Sequence, residues 1–554
     1  MLKIGWHLAH AASRDDFATD ALSYADFGAN LEQRLKYLCE EVRSHRYRPR
    51  NLLEIDIPKT GLSVRPGNVL PIEDSLLLHS MVYLLAPKLD RKLSPNVYSY
   101  RLHKNWKRRA KKGRSVFREG DDEIPFLKTR TIRRIDPIES WYTLWPEFEK
   151  QTARAVKEFG CTHLTKTDIT AYFECIDLRI LETQLRSLLR QDEDALFQVL
   201  FRVLDGWTRV TSTGTPVGRG IPQGNDVSRF LGNLYLLPLD RELDRFCKKH
   251  DALWCRYVDD VKVMTRSEKT AREAVFLVND CLWSLHLNLQ GSKTKILSGD
   301  ELDAAIYDPD GERVSATIDA IQKLQPLTKE KAPSVTKELK KISYLLPRFR
   351  RNRGRDVRSL DGDESRLFRR CMTAYGLGRR PHLIDAAFEA LRALPDLRIL
   401  KKALGYVTLQ PYQRHDEIIG RLLELIEGDA LPFPYQVAVV VDHFRHLHPS
   451  NPREVGSRLR PFAIGSTRFW YVRQKAAEAI MTFPYREDSA CRLCKSLLKS
   501  EHPWVRRAGF LMLIRSEIEY VRNQIRQLIY DADQSISRLA LYFERHIHER
   551  AFAD

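Results

Sequence analysis

No apolar run in the 554-residue chain approaches the ~20 residues that a helix needs to span a bilayer. No membrane partner is expected on that ground, and nucleic acid fits better. The opening Met1-Leu2-Lys3-Ile4-Gly5-Trp6 shows no charged, apolar and small-residue succession of a secretory signal, which predicts a reducing, cytoplasmic setting. Cysteine is sparse and odd in number at nine. Most cysteines stand in apolar runs, as Cys255 and Cys281 do, and read as buried free thiols rather than a disulfide framework. Cys491 and Cys494 form a lone C-x-x-C with no further pair of ligands nearby, so a zinc site is not expected. Acidic residues are outnumbered, 73 against 91 Lys and Arg, for a net charge of +18. That imbalance calls for a polyanionic partner, and nucleic acid fits it.

What is present is enough for two to four domains with real cores, since 43% of residues are apolar. The most informative stretch is Tyr257-Val258-Asp259-Asp260. Apolar β-formers flank it, Trp254 to Val258 before and Val261 to Met264 after. The pattern predicts strand, a two-residue turn at Asp259-Asp260, and strand. Two adjacent carboxylates repel unless a cation lies between them, and oxygen ligands favour Mg2+. Alone, such a pair is a weak signal and reads as a solvated turn.

Three further segments carry compatible chemistry. In Leu164 to Ile176 a β-prone run ends at Asp168, and Asp177 follows as an N-cap for a helix from Leu178. Gly218 to Ser228 is a glycine-rich loop containing Pro222-Gln223-Gly224, ahead of an apolar helical run from Phe230 to Leu239. Leu287 to Ile296 places Lys293 and Thr294 after a turn. Asp168 together with the adjacent pair Asp259 and Asp260 would supply the anionic cage of a two-metal phosphoryl transfer.

In this order and spacing the segments resemble the palm motifs of the reverse transcriptases: Asp168 with Phe173 five residues on, G-x-P-Q-G, Y-x-D-D and the late Lys-Thr. The resemblance implies that Asp168 and Asp259 bridge two Mg2+ ions, for which Mn2+ substitutes, with Asp260 as third acidic member and Ile169 within the metal set. Lys293 matches a lysine that protonates the leaving pyrophosphate, although a surface lysine is the plainer reading. Phe173 matches the ring that blocks a 2′-hydroxyl, with an ordinary core aromatic as its alternative. Gln223 and Gly224 match the loop against the incoming deoxynucleotide, and Tyr257 the residue near the primer end. Upstream, Tyr47 to Pro49, Ile57 to Arg65, Leu70 to Ser75 and Tyr98 to Arg101 resemble the fingers, where Lys59 and Arg65 would bind the triphosphate. The likeness covers roughly residues 30–300. Two departures, Asn225-Asp226 in place of Ser-Pro and Gln290 in place of Asn, remove no metal ligand.

Two basic tracts are candidate phosphate contacts: residues 101–118, with Trp106 and Phe117 interleaved, and Arg348, Arg350, Arg351, Arg353 and Arg355. Past Ile296 the patterning changes. Asp300 to Glu312 reads as polar and turn-rich, and Lys323 to Pro333 as Lys- and Pro-rich. Beyond lie helical spacings such as Leu383 to Leu391 and Glu417 to Ile426, with no strand alternation. Phe469 to Ala476 is echoed by Pro503 to Ala508 and, more weakly, by Asp533 to Ala540; from Val472 the offsets are 33 residues to Val505 and 31 more to Ile536. The echo resembles HEAT-type repeats, in which neighbouring helix pairs bury one another.

The expected architecture is an α+β right-hand polymerase followed by an all-α helical-repeat domain: N-terminal helices and fingers over 1–130, palm over 131–310, repeats over 311–554. No RNase H carboxylate cluster and no zinc-bound nuclease tail is recognisable. The whole is similar to the bacterial abortive-infection and defence-associated branch. That resemblance implies RNA or DNA and dNTPs as partners, a cytoplasmic location, homo-oligomers, and for some members untemplated synthesis leaving a protein–DNA adduct. The competing readings are an inert nucleic-acid-binding palm, a mobile-element reverse transcriptase, or a helical scaffold.

Overall fold

The computed structural model describes residues 2–12, 21–50, 52–59, 63–103, 105, 138–139, 141–189, 194–208, 217–349, 362–394, 396–428, 430–465, 469–483, 487–514 and 524–546. It divides into two compact units, one of Met1–Thr19, Phe27–Ile55 and Gly67–Tyr307, the other of Asp20–Asp26, Asp56–Pro66 and Asp308–Asp554.

The first unit is built on a four-stranded sheet. Its strands β3 (His163–Thr167), β4 (Leu253–Tyr257), β5 (Asp260–Thr265) and β6 (Lys295–Ser298) run in the order β4-β5-β3-β6, every pairing antiparallel. A separate two-stranded sheet is formed by β1 (Leu53–Pro58) and β2 (Val64–Val69). β5 is apolar at Val261, Val263 and Met264, all buried, as suits a strand covered on both faces. On one face Thr165 Oγ1 of β3 donates to the Ala271 carbonyl of the helix Glu268–Ser284, 3.3 Å away. That helix is capped by Ser267, which accepts from Thr270 N, and buries Ala271, Ala274, Val278 and Leu282 at helical spacing. On the other face Lys262 of β5 reaches Glu149 of the helix Trp141–Phe159 at 3.2 Å.

The helix from Leu178 starts as predicted, with Asp177 accepting from Arg179 N and Ile180 N. Two local expectations are corrected. The run Phe230 to Leu239 is not one helix: a helix spans Asp226–Tyr235, and a second, Leu237–His250, begins after a break at Leu236. Asn225 moves the start forward by capping Ser228 N, and Pro238, which has no N–H, belongs to a first turn. The polar stretch Asp300 to Glu312 is largely helical, in Gly299–Ile306 and Pro309–Lys323. There Asp308 caps Gly311 N and Pro309 opens the second helix, so its acidic residues are a helix N-terminus.

Among the described residues after Ser298 every regular element is helical. The helix Trp470–Ile480 packs against Pro434–His443, Pro452–Ile464 and Pro503–Ile514, and Pro503–Ile514 also packs against Glu487–Leu498. The echoed residues Val472, Ala476, Val505, Ala508, Ile536 and Ala540 are all buried. Gly509 lets two of these helices close up, since a Cβ there would stand 2.8 Å from Leu497 Cβ. Cys39, Cys161, Cys175, Cys247, Cys255, Cys281 and Cys371 form no disulfide; Cys281 is half-buried rather than buried, and Cys494 donates to the Gly509 carbonyl. No described helix is long and apolar enough to cross a membrane. Of the basic tracts, residues 104, 106–118 and 350–355 lie outside the described residues. Arg101 is bound to Asp90 at 2.9 Å and to the Ser94 and Val97 carbonyls, and Arg348 to Asp310 at 2.9 Å, so these two have internal partners.

Candidate active site

Three chain segments meet at one end of the four-stranded sheet. β3 and β5 pair with Thr167 opposite Val261, and one further step of the same register sets Asp168 opposite Asp260. β4 and β5 pair with Tyr257 opposite Asp260, leaving Val258 and Asp259 as the two-residue turn. The turn therefore sits one residue earlier than the sequence pattern predicts, and Asp260 opens β5. Val258 has φ of 55°, a left-handed conformation rare for a β-branched residue. Tertiary bonds hold it there: Val258 N donates to Ser99 Oγ and Val258 O accepts from Arg256 Nη1, both at 2.9 Å. Local propensity carries no sign of either bond.

The segment after the helix Glu268–Ser284 anchors Asp168 from the other side. Gln290 N donates to the Asp168 carbonyl at 2.7 Å, Thr170 N donates to the Asn288 carbonyl at 2.9 Å, and Ile169 bridges Leu289. Gln290 uses its side chain as well, accepting from Thr170 Oγ1 and donating to Ser292 Oγ. The short 3-10 turn Gly291–Lys293 then sets the Lys293 ammonium on Asp168 Oδ2 at 2.5 Å.

Burial pushes the Asp259 carboxyl up to about 7, helped by Asp260 and Asp168, while Lys293 pulls it down. Burial and then Asp168 push Asp260 up to about 6, against Lys293 and Lys262. The carboxylates thus act on one another and want more positive charge than the lysines supply. An oxygen-only donor set with surplus negative charge fits a hard divalent cation. Among the described residues no three His, Cys, Asp or Glu side chains form a ready-made metal cage, and Asp168 is engaged by Lys293 instead.

Phe173 is buried, its ring beside Tyr172 and the helix Asp226–Tyr235. A Cβ at Gly232 would lie 3.2 Å from the Tyr172 ring and 3.3 Å from the Phe173 ring, so glycine there permits the close approach. The glycine-rich loop is stitched to this segment: Gly220 N donates to the Ile176 carbonyl and Ile221 N to the Phe173 carbonyl. Gln223 N donates to Asn68 Oδ1 at 3.0 Å, while Gln223 Oε1 is buried with no hydrogen-bond partner. Gly224 follows with φ of 128°. Tyr257 is buried among Trp145, Phe148 and Tyr100; burial first, and then Tyr100, raise its phenol far above the ordinary range. Arg229, paired with Asp226, lies over the Tyr100 ring at 5.2 Å.

Asp168, Asp259, Asp260 and Lys293 are thus brought together, and Phe173, Gln223, Gly224 and Tyr257 belong to the same unit. Lys59 and Arg65 fall in the second unit, where Lys59 N donates to the Ser63 carbonyl and the Arg65 charge acts on the Tyr435 phenol. Sequence reasoning missed Ser99, Asn233, Asp240 and Arg256. One signal was available: an arginine inside the apolar run Trp254 to Val258 has to find a buried partner.

A comparison with curated proteins finds no match. Among solved structures, telomerase from Candida albicans in complex with a TWJ fragment of telomeric RNA is 12% identical over 80% of this chain and 70% of that one, with a TM-score of 0.32, a likeness that carries no argument. Residues 126–354 match the family model of the reverse transcriptase (RNA-dependent DNA polymerase), a span that holds Asp168, Asp259, Asp260 and Lys293. The chain therefore carries a reverse transcriptase domain and is an RNA-directed DNA polymerase.

Proposed function

We propose that this enzyme is a Mg2+-dependent polymerase of deoxynucleotides whose catalytic centre is Asp168, Asp259 and Asp260. The observation that carries the reading is the mutual electrostatic influence of these carboxylates at one end of the sheet. They would hold two divalent ions, with Ile169 offering only its main-chain carbonyl. When bound, the ions supply activation of a 3′-hydroxyl and charge stabilisation of the leaving pyrophosphate.

The remaining roles belong to the chain's own groups. Lys293 holds a proton at Nζ beside Asp168 and is placed to give it to the leaving group. The buried Phe173 ring denies room to a 2′-hydroxyl. Gln223 Oε1, lacking a partner, is available to the nucleotide. Tyr257 forms part of the floor beneath the primer end, and Lys59 and Arg65 bind the triphosphate.

The finer assignment completes the proposal: fingers within 1–130, palm within 131–310 and HEAT-like repeats over 311–554, in the defence-associated bacterial branch, acting in the cytoplasm on RNA or DNA. The stacked helices that bury Val472 and Val505 support the repeats, and Ile536 of the third echo is buried as well.

The test is incorporation of single dNTPs in Mg2+, with and without RNA and primer, followed by protease. Asp259→Asn should lower incorporation at least about a thousandfold and leave nucleic-acid binding within about twofold. Equal incorporation by wild type and Asp259→Asn sinks the reading. Product made without RNA that shifts on proteolysis supports protein-primed synthesis, and product that needs RNA and primer supports templated synthesis.

A further inference from the structure

Beneath the catalytic turn lies a buried polar cluster that the polymerase chemistry leaves without a task. Arg256 and Asp240 are almost wholly shielded from solvent. A guanidinium has five N–H donors, and here all five are used. Nε and Nη2 donate to the two oxygens of Asp240, at 2.8 and 2.6 Å. Nη2 also reaches the Asn233 carbonyl at 3.3 Å, and Nη1 donates to Asn233 Oδ1 at 3.0 Å and to the Val258 carbonyl at 2.9 Å. Ser99 closes the circuit. Its Oγ donates to Asn233 Oδ1 and accepts from Val258 N, and its carbonyl accepts from Asn233 Nδ2. The backbone of Asn96 and Tyr98 is bound in turn to that of Arg256, which seats Ser99 under the turn.

Replacing a buried ion pair by apolar residues is often neutral for stability, so such a pair is weak evidence of a stabilising role. Here Arg256 takes the carbonyl and Ser99 the amide of a single peptide residue, and that residue is Val258 at φ of 55°. Strained backbone persists only where its surroundings over-determine it. Asp259 is the next residue in the chain.

We infer that Ser99 and Arg256, the latter oriented by Asp240 and Asn233, are positioning residues that hold Val258 left-handed and so aim the Asp259 carboxylate at Asp260 and Asp168. This rests on the polymerase reading of those carboxylates. None of the four touches the reacting atoms; they act through the turn.

The test compares Ser99→Ala, Val258→Gly and the double variant, with Mn2+ binding followed by electron paramagnetic resonance and dNTP incorporation followed by steady-state kinetics. Ser99→Ala removes both bonds of the hydroxyl, and the loss of the one to Val258 N should weaken Mn2+ binding and lower kcat, each about tenfold. The KM for dNTP should stay within about twofold. The double variant should recover most of both, because glycine accepts positive φ without a clamp. Arg256→Lys, which keeps the charge but offers three donors instead of five, should lose more than Ser99→Ala. A purely structural role predicts no recovery in the double variant. The inference is overturned if Ser99→Ala binds Mn2+ like wild type, or if the double variant is no better than Ser99→Ala. If Asp259→Asn leaves wild-type Mn2+ binding and incorporation intact, the polymerase reading falls and takes the inference with it. If Asp259→Asn is inert and the Ser99 series is flat, only the inference falls.

Discussion

Lys293 Nζ lies 2.5 Å from Asp168 Oδ2, an ion pair made across 125 residues of sequence. The lysine is mostly exposed and the carboxylate mostly covered, so the pair adds little to the stability of the fold. It also places a monovalent charge where a divalent ion is proposed to bind. Lys293→Gln should therefore show two effects of opposite sign. The Mg2+ concentration for half-maximal incorporation falls about twofold to fivefold, while kcat at saturating Mg2+ falls about a hundredfold as the proton donor is lost. Steady-state kinetics across a Mg2+ titration separate the two.

A second prediction concerns pH. Asp259, up to about 7, and Asp260, up to about 6, keep protons in the folded protein that an unfolded chain would shed near pH 4. The folded state binds more protons in that window, so the stability these two groups contribute is present below about pH 4 and is lost as pH rises through 6 to 7. A divalent ion replaces those protons and reverses the trend. In chelator, the melting temperature contribution should drop by a few degrees from pH 5 to pH 8 relative to the Asp259→Asn variant. Added Mg2+ should raise the melting temperature more at pH 8 than at pH 5. A Mg2+-induced rise that is the same at both pH values counts against the coupling.

The third concerns the nucleotide pocket. Gly232→Ala puts a Cβ within 3.2 to 3.3 Å of the Tyr172 and Phe173 rings, and one of them has to give. The expected result is a threefold to tenfold rise in dNTP KM, on the order of 1 kcal/mol, with a comparable loss of stability. Phe173→Leu in the same chain should restore the KM and lower discrimination against ribonucleotides. Competition between dNTP and rNTP of the same base reads both.

The fourth addresses the helices after Ser298. Gly509→Val would drive a side chain into Leu497 and the main chain of Leu498, at a cost of about 2 kcal/mol or more. Limited proteolysis should show earlier cleavage within Pro452–Ile514, whereas Gly405→Ala, where nothing stands within 4 Å of a new Cβ, should stabilise the helix slightly. Equal protection in the two variants would argue against tight stacking.

The strand-turn-strand around Asp259, the Asp177 cap and the helical character of the second half were legible because each is written in local periodicity and capping chemistry. The reverse transcriptase domain was legible because its motifs are short and ordered. What local reading misplaced was decided at a distance. The turn slipped to Val258 because Ser99 and Arg256 grip its amide and carbonyl. Asp300 to Glu312 looked like loop because polar residues favour turns, yet Asp308 and Pro309 make them a helix start. The contact of Gln223 N with Asn68 joins residues 155 apart, and no window of sequence spans it.

The strand order β4-β5-β3-β6 has a consequence for synthesis. β3 emerges first, yet both its neighbours come later in the chain: β5 begins at Asp260 and β6 at Lys295. About ninety residues must follow before either edge of β3 can bond, which at about 5–20 residues per second leaves it bare for at least several seconds on the ribosome. Lys166 in that strand, paired later with Lys262 and Lys295, is a charge of the kind that keeps an open edge from pairing with another chain. The nascent protein thus waits for its metal-binding end to be completed with a guarded strand.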